Sequence, residues 1–143
     1  MTTSVASLLQ GKGSQVVTVL PETPVSALVR LLAERRIGAA PVVDAAGTVV
    51  GIVSERDVVR GLAGDTHILD HPVSRLMTSD VRTCGLNDTV LEVMEIMTAG
   101  RFRHLPVVEN GRLAGIVSIG DVVKQRIEEA QFEVDALKSY IVS

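Results

Sequence analysis

The chain carries the same sequence pattern twice, in residues 18–59 and again in residues 83–123. The offset between the copies is 65 residues up to the second turn, where one residue is lost, and 64 after it. Matching positions include Thr18 and Thr83, Pro41 and Pro106, Ser54 and Ser118, and Asp57 and Asp121. A repeat of this length is one supersecondary unit copied. Two copies predict a pseudo-two-fold domain whose halves cover each other's apolar faces and meet around a ligand.

Each copy has the order β-α-β-β-α, which places the chain in the α/β class, in its α+β form. In the first copy we predict strands at 16–19, 40–44 and 48–54, a helix capped by Thr23 with Pro24 at its first position and ended by Gly38, and a short helix opened by Asp57 and reaching 62. One apolar face of the longer helix follows the helical period, with Val25, Leu28, Val29, Leu32 and Ala33.

The second copy adds two local signals. Thr89 and Glu92 form a capping box before an apolar run. Asn110-Gly111 predicts a tight turn between strands at 105–108 and 113–118. Outside the copies, we predict a short helix at 4–10, stopped by Gly11 and Gly13, and a helical turn at 73–77.

The length of 143 residues suits one compact module. We divide it into repeat 1 at 14–62, a linker at 63–79 whose residues 63–72 are polar, and repeat 2 with a C-terminal helix at 80–143. The net charge of -3 and the aromatic content of 2% argue against a nucleic-acid partner. The sequence contains no apolar stretch long enough to predict a membrane span.

The single cysteine, Cys84, forms no internal disulfide, and the first residues make a poor signal peptide, so we expect a cytoplasmic protein. Cys84 has no evident base beside it and is a weak candidate nucleophile. His67 and His71, with Asp65 and Asp70, lie in the linker just before Pro72, which disfavours the helix that would align them as metal ligands. We therefore expect no metal and no catalytic residue.

The last helix carries an apolar stripe whose members are spaced 4, 3, 4, 3 and 4 residues apart. The stripe consists of Val123, Ile127, Ala130, Val134, Leu137 and Ile141. This is the period of a helix-pair seam, and it predicts a homodimer. The alternative is a helix that lies on its own domain.

The pattern Ser-x-x-Asp occurs at the end of the last strand of each copy. It places a hydroxyl and a carboxylate at a strand-to-helix corner, where free N–H groups and the helix dipole also favour a phosphate. A carboxylate there can accept two hydrogen bonds from the cis-diol of a ribose. The alternative is that Ser54, Asp57, Ser118 and Asp121 only cap helices.

The two copies together resemble the CBS (cystathionine-β-synthase) domain pair, or Bateman module. The resemblance rests on Pro41-Val42-Val43 and Pro106-Val107-Val108, on the Gly-Ile-Val-Ser-x-x-Asp runs at 51–57 and 115–121, and on Met77-Thr78. It covers roughly residues 5–127 and is strongest with the small stand-alone bacterial CBS-pair proteins. It implies a regulatory module, not an enzyme, which binds AMP or another adenosyl nucleotide such as ATP or ADP.

The resemblance also implies two clefts, each drawing on both copies. One would use Thr18, Ile37, Gly38 and Ala39 with Ile116, Ser118 and Asp121. The other would use Thr83, Phe102, Arg103 and His104 with Ile52, Ser54 and Asp57. By this resemblance, the aspartates hold ribose, the apolar strand residues and backbone hold adenine, and cations hold phosphate.

The copies differ at these positions, so we expect unequal sites. Arg56, Arg103 and His104 are the candidate phosphate contacts, whereas Gly120, Gly38 and Ala39 replace them in the opposite copy. The space at Gly120 and Gly38 suggests that NAD or NADH is accepted in at least one site.

Two other functions stay open. One is a small nucleotide-acting enzyme, whose acid-base candidates are His104, Asp57 and Asp121. The other is a structural dimerisation module with unused clefts. The sequence does not identify the regulated partner protein.

Overall fold

The computed structural model describes residues 3–142 of the chain. In chain order its helices and strands are α1 (Val5–Lys12), α2 (Val25–Arg35), β1 (Ala39–Val43), β2 (Val49–Ser54), α3 (Glu55–Gly64), α4 (Val90–Gly100), β3 (His104–Glu109), β4 (Arg112–Ser118) and α5 (Ile119–Val142). The mixed helix-and-strand class expected from the sequence is confirmed. The strands form two separate two-stranded sheets, β1–β2 and β3–β4.

The described chain divides into two compact units. The copy-one unit comprises residues 15–82 and 110–113. The copy-two unit comprises the N-terminal residues up to 14, residues 83–109 and the chain from residue 114 onward. The N-terminal helix therefore belongs with the second copy, although it precedes the first copy in sequence.

The first predicted strand of each copy is reduced to a single bridge. In the copy-one unit, β1 and β2 pair antiparallel from Ala39 opposite Ser54 to Val43 opposite Val49. Val19 adds one parallel bridge, to Val42. The expected strand at 16–19 is wrong except at Val19, because residues 16–18 belong to no strand, and the chain turns just after the bridge, with the N–H of Thr23 donating to the carbonyl of Leu20.

The boundaries of α2 also differ from the prediction. Pro24 is the N-cap residue, and the hydroxyl of Thr23 instead accepts from the N–H of Leu20 at 3.0 Å. The helix ends with Arg36 in the left-handed conformation at φ 54°, before Gly38. Of the predicted apolar face, Val25, Leu28 and Leu32 are buried, whereas Val29 and Ala33 are exposed. The helix therefore buries a narrower stripe than its sequence suggested.

The linker takes part in the copy-one core. It contains two short 3-10 helices, Ile68–Asp70 and Val73–Arg75, and it buries Ile68 and Val73. The N–H of Val73 donates to the carbonyl of Thr23 at 2.8 Å. The expectation of a polar linker at 63–72 is thus corrected at Ile68, which is buried.

The copy-two unit contains α1, α4, β3, most of β4 and α5. The N–H groups of Val5 and Ala6 donate to the carbonyls of Asp88 and Leu86. Helix α1 buries Val5, Leu8 and Leu9 and ends at Gly13 with φ 102°, so Gly11 does not stop it as predicted.

The sequence signals of the second copy are confirmed. Thr89 and Glu92 make a reciprocal capping box at the start of α4. Asn110 and Gly111 both have positive φ, 52° and 77°, as a tight hairpin turn requires. Cys84 forms a parallel bridge to Val107, which repeats the bridge from Val19 to Val42.

Helix α5 runs for 24 residues, which confirms the long C-terminal helix that the sequence predicts. Val122 and Glu129 are buried, and the side chains from Ala130 to Ile141 are all exposed. All six residues of the predicted seam are exposed, among them Ile127 at 62% and Leu137 at 63%. Within residues 3–142, no helix is both long and apolar enough to cross a membrane.

Candidate functional site

The two Ser-x-x-Asp corners have the same local geometry. In copy one, the N–H of Ser54 donates to Asp57 Oδ2 at 2.8 Å, and the N–H of Asp57 donates to Ser54 Oγ at 3.3 Å. In copy two, the corresponding distances at Ser118 and Asp121 are 2.9 and 3.1 Å. Each carboxylate is thereby fixed at the end of a strand and the start of a helix.

Each aspartate lies inside its helix and does not open it. Ser54 is the N-cap residue of α3, which begins at Glu55, so the predicted start at Asp57 is two residues late. The capping alternative is therefore realised at Ser54 and Asp57. Capping uses one carboxylate oxygen, Oδ2, which leaves Oδ1 to be considered as a ligand acceptor.

Lys12 distinguishes the copy-two corner from the copy-one corner. Its Nζ donates to Asp121 Oδ2 and, at 2.7 Å, to the carbonyl oxygen of Ile116. Burial raises the pKa of the Asp121 carboxyl, but the hydrogen bonds from Lys12 and Ser118 outweigh burial and lower this pKa below its usual value. The corner thus holds a stable carboxylate with a lysine against it.

Sequence reasoning missed Lys12. Lys12 was not among the residues that the sequence predicted for either site. Lys12 is 109 residues from Asp121 in sequence, and only the packing of α1 on the second copy brings the two together. No local pattern carries that information.

An open cavity of about 310 Å³ lies beside this ion pair. It is lined by Ser7, Leu8, Gly11, Lys12, Asp121, Lys124, Gln125 and Glu128. Two lysines and two carboxylates therefore share its wall. This lining can contact a ligand that carries both hydrogen-bond donors and negative charge.

The hydrogen-bond donor to the backbone carbonyl beside each corner also differs between the copies. In copy one, Thr78 bridges to Ile52, with N–H to carbonyl distances of 3.0 and 2.9 Å in the two directions. In copy two, the carbonyl of the matching Ile116 accepts from the Lys12 side chain. Ile52 is thus held by main chain and Ile116 by a side chain.

Each copy places the start of its first long strand against its own corner. The N–H of Glu55 donates to the carbonyl of Gly38 at 2.9 Å, and the N–H of Ile119 donates to that of Arg103 at 2.8 Å. Residues 37–39 and 102–104 are therefore neighbours of Ser54 and Ser118, respectively. The combination of residues across the copies, which the resemblance implies, stays a prediction.

The remaining candidates differ in exposure. Thr18, Arg56, Thr83 and Arg103 are exposed; Ile37, Gly38, Phe102 and His104 are half-buried; and Ala39 is buried. The ring of Phe102 lies against Gly100 so closely that a Cβ there would overlap it. Phe102 therefore has a packing role in the copy-two core, whether or not it also contacts a ligand.

The linker histidines and the cysteine make other contacts. His71 Nε2 lies 3.4 Å from a carboxylate oxygen of Asp65, and its Nδ1 lies 3.3 Å from Arg75. Among residues 3–142, no group of three or more His, Cys, Asp or Glu side chains is placed to hold a metal. Burial and the nearby Asp88 raise the pKa of Cys84 to about 12, which keeps it a thiol.

Comparison with known proteins gives matches along nearly the whole chain. The CBS domain profile matches residues 13–64 and 73–128. The chain is 34% identical over 116 residues to an uncharacterized 17.7 kDa protein of Acidianus ambivalens, covering 80% of this chain and 70% of that protein. Both the family match and this relative span the two copies.

Solved structures give the same result. The crystal structure of the CBS-domain containing protein ATU1752 from Agrobacterium tumefaciens is 52% identical, with a TM-score of 0.84, and the match covers 88% of this chain and 95% of that one. The crystal structure of CBSX2 in complex with AMP is 27% identical, with a TM-score of 0.74, and covers 90% and 98% of the two chains.

Proposed function

We propose that this chain, which belongs to the CBS domain family, is a regulatory module that binds adenosyl nucleotides. The observation that carries the proposal is the repeated corner, in which a fixed carboxylate stands at a strand end and a helix start in each copy. A carboxylate held in this way is ready to accept the two hydroxyls of a ribose. The similar CBSX2, whose structure contains AMP, supports this ligand class.

Regulation would follow from a change in populations of conformations. A ligand shifts such an equilibrium only as far as it binds one conformation more tightly than another. The bound nucleotide would thereby change the surface that the module offers to a regulated protein.

Calorimetric titration with AMP tests the proposal. Asp57→Ala and Asp121→Ala should each weaken one site by about 1–3 kcal/mol, because each removes a charged acceptor. Glu92→Ala is the matched control, since Glu92 is a capping-box carboxylate of α4 outside the candidate site. If both aspartate variants bind AMP as tightly as wild type does, these carboxylates only cap their helices.

We also propose that the two sites are unequal and that NAD or NADH enters at least one of them. Arg56 and Arg103 are exposed near their corners, whereas Gly120 and Gly38 take their places in the other copy. In a competition titration, NADH should displace AMP from one site before the other. Failure to displace AMP from either site would exclude the dinucleotide.

The capping boxes favour one rival function, a structural module with unused sites. A thermal melt separates the two, because a ligand that binds the folded state raises the melting temperature. No shift at millimolar AMP would favour the structural role. Incubation with AMP, ATP and NADH checks for turnover, and product formation would point to an enzyme.

We further propose that the protein is a homodimer through α5. The seam residues are exposed along the helix, and an apolar stripe of this length is one that soluble monomers avoid. Pairing with the same helix of a second subunit would cover it with two-fold symmetry. Val134→Asp with Leu137→Asp should give folded monomers in light scattering, and Glu133→Asp is a control off the seam. A wild type that is monomeric at micromolar concentration would rule the dimer out.

A further inference from the structure

The side chain of Lys12 occupies hydrogen-bond acceptors that a nucleoside would use in the copy-two corner. Its ammonium binds Asp121 Oδ2, the oxygen that the second hydroxyl of a ribose would need beside Oδ1, and the carbonyl of Ile116, an expected contact of the base. Hydroxyl or amino donors of a ligand therefore compete with a donor that the protein supplies itself.

The copy-one corner is arranged differently. The hydrogen bonds described for Asp57 Oδ2 come from the N–H and the hydroxyl of Ser54, at 2.8 and 3.0 Å. The carbonyl of Ile52 accepts from the backbone of Thr78. Of the two corners, as the described contacts define them, the second is therefore the one in which an ammonium competes with a ligand.

The charge balance decides which ligand can displace Lys12. The side chains of Lys12 and Asp121 are 32% and 26% exposed, so the ammonium can leave the carboxylate without unfolding α1. A neutral nucleoside would take the acceptors and leave this cation without an anion. A nucleotide brings a phosphate, with which a displaced ammonium forms a charge-assisted hydrogen bond.

We propose that Lys12 makes the copy-two corner selective for phosphorylated nucleosides over neutral ones. The ribose hydroxyls displace the ammonium from Asp121, and Lys12 then pairs with the phosphate of the same ligand. Lys12 is thus a specificity-determining residue that opposes nucleosides and favours nucleotides. This inference deepens the nucleotide-binding function proposed above and rests on it.

Calorimetric titration with AMP and with adenosine tests the selectivity. An Asp57→Asn background weakens the copy-one corner, so the remaining heat reports on the second. In this background, AMP should bind at least about tenfold more tightly than adenosine. One charge-assisted hydrogen bond supplies a difference of this size. Adding Lys12→Met should tighten adenosine and weaken AMP, so that the ratio of their dissociation constants falls close to one.

Two control variants separate Lys12 from charge in general. Lys12→Arg keeps the cation and should keep the preference for AMP. Lys138→Met removes an exposed positive charge of α5 that does not line the cavity and should leave the preference intact. Melting curves check that each variant is folded, and Lys12→Gln replaces Lys12→Met if the latter is not.

The outcomes distinguish this inference from the function on which it rests. If the preference for AMP over adenosine survives Lys12→Met, or falls equally in Lys138→Met, the role of Lys12 is overturned and the nucleotide-binding function stands. Wild-type protein that binds neither AMP nor adenosine overturns the nucleotide-binding function and the selectivity together.

Discussion

The two copies carry the same motif but complete it with different parts of the chain. The last strand of each copy contains a glycine, Gly51 or Gly115, over which another segment packs. A Cβ on Gly51 would lie 2.6 Å from the sulfur of Met77, and one on Gly115 would lie 2.8 Å from Cδ1 of Leu9. The linker thus covers the first copy, and the N-terminal helix covers the second.

This difference shows that a duplicated motif need not give two equal sites. In copy one, the segment that follows Met77 closes the edge of β2 through main-chain hydrogen bonds between Thr78 and Ile52. In copy two, the covering helix instead carries Lys12 to Ile116 and Asp121. The covering segment, which lies outside the motif, therefore sets the chemistry of each corner.

Removing the covering side chains should give the largest effects. Leu9 is 5% exposed, so Leu9→Ala should destabilise the protein by about 2–5 kcal/mol through lost burial and a cavity. Met77 is only half-buried, and Met77→Ala should therefore cost less, about 1–2 kcal/mol. Chemical denaturation measures both. If Met77→Ala lowers the free energy of unfolding as much as Leu9→Ala does, the linker stabilises copy one as strongly as α1 stabilises copy two.

Part of this arrangement could be predicted from the sequence. The Thr89 capping box, the Asn110-Gly111 turn and the buried face at Val25, Leu28 and Leu32 depend on neighbours in sequence, so their residue types were sufficient. The family resemblance was also carried by local motifs and is confirmed.

The errors arose where distant segments decide the outcome. The strand expected at 16–19 depends on pairing with β1, and it makes one bridge before the chain turns. Ile68 looked like part of a polar linker, because its burial depends on segments distant in sequence, such as α2, which contacts residues 68–70. Lys12 has no signal at all until α1 is placed beside Asp121.

A smaller effect should come from the end of α4. Phe102 packs over Gly100, whereas copy one has Ile37 and Arg35 at these positions. Gly100→Ala should destabilise the protein by about 1–3 kcal/mol through overpacking, although Ala is the better helix former. Adding Phe102→Ile, the residue of copy one, should restore most of the loss. Thermal melts of the single and double variants check this, and equal melting of the two would exclude the overlap.

The ion pair of the second corner should be worth less still, about 0.2–1 kcal/mol, because both partners are partly exposed. The pKa of Asp121 is lower in the folded protein than its usual value, so its stabilising effect is present above the unfolded pKa and is lost as pH falls through the folded one. Lys12→Met should raise the pKa of Asp121 and reduce this acid-side loss. Carboxyl NMR titration measures the change, and an unaltered pKa would mean that Ser118 alone lowers it.

The smallest effect should be the same in both copies. Arg36 and Arg101 follow α2 and α4 in the left-handed conformation, at φ 54° and 58°. Glycine adopts this conformation without the steric cost that a Cβ imposes, but it also gives the unfolded chain more freedom. The two effects nearly cancel, and Arg36→Gly and Arg101→Gly should each stabilise the protein by about 0.5 kcal/mol or less. If the denaturation midpoints of the two variants move in opposite directions, the two helix ends are not energetically equivalent, although their backbone angles are similar.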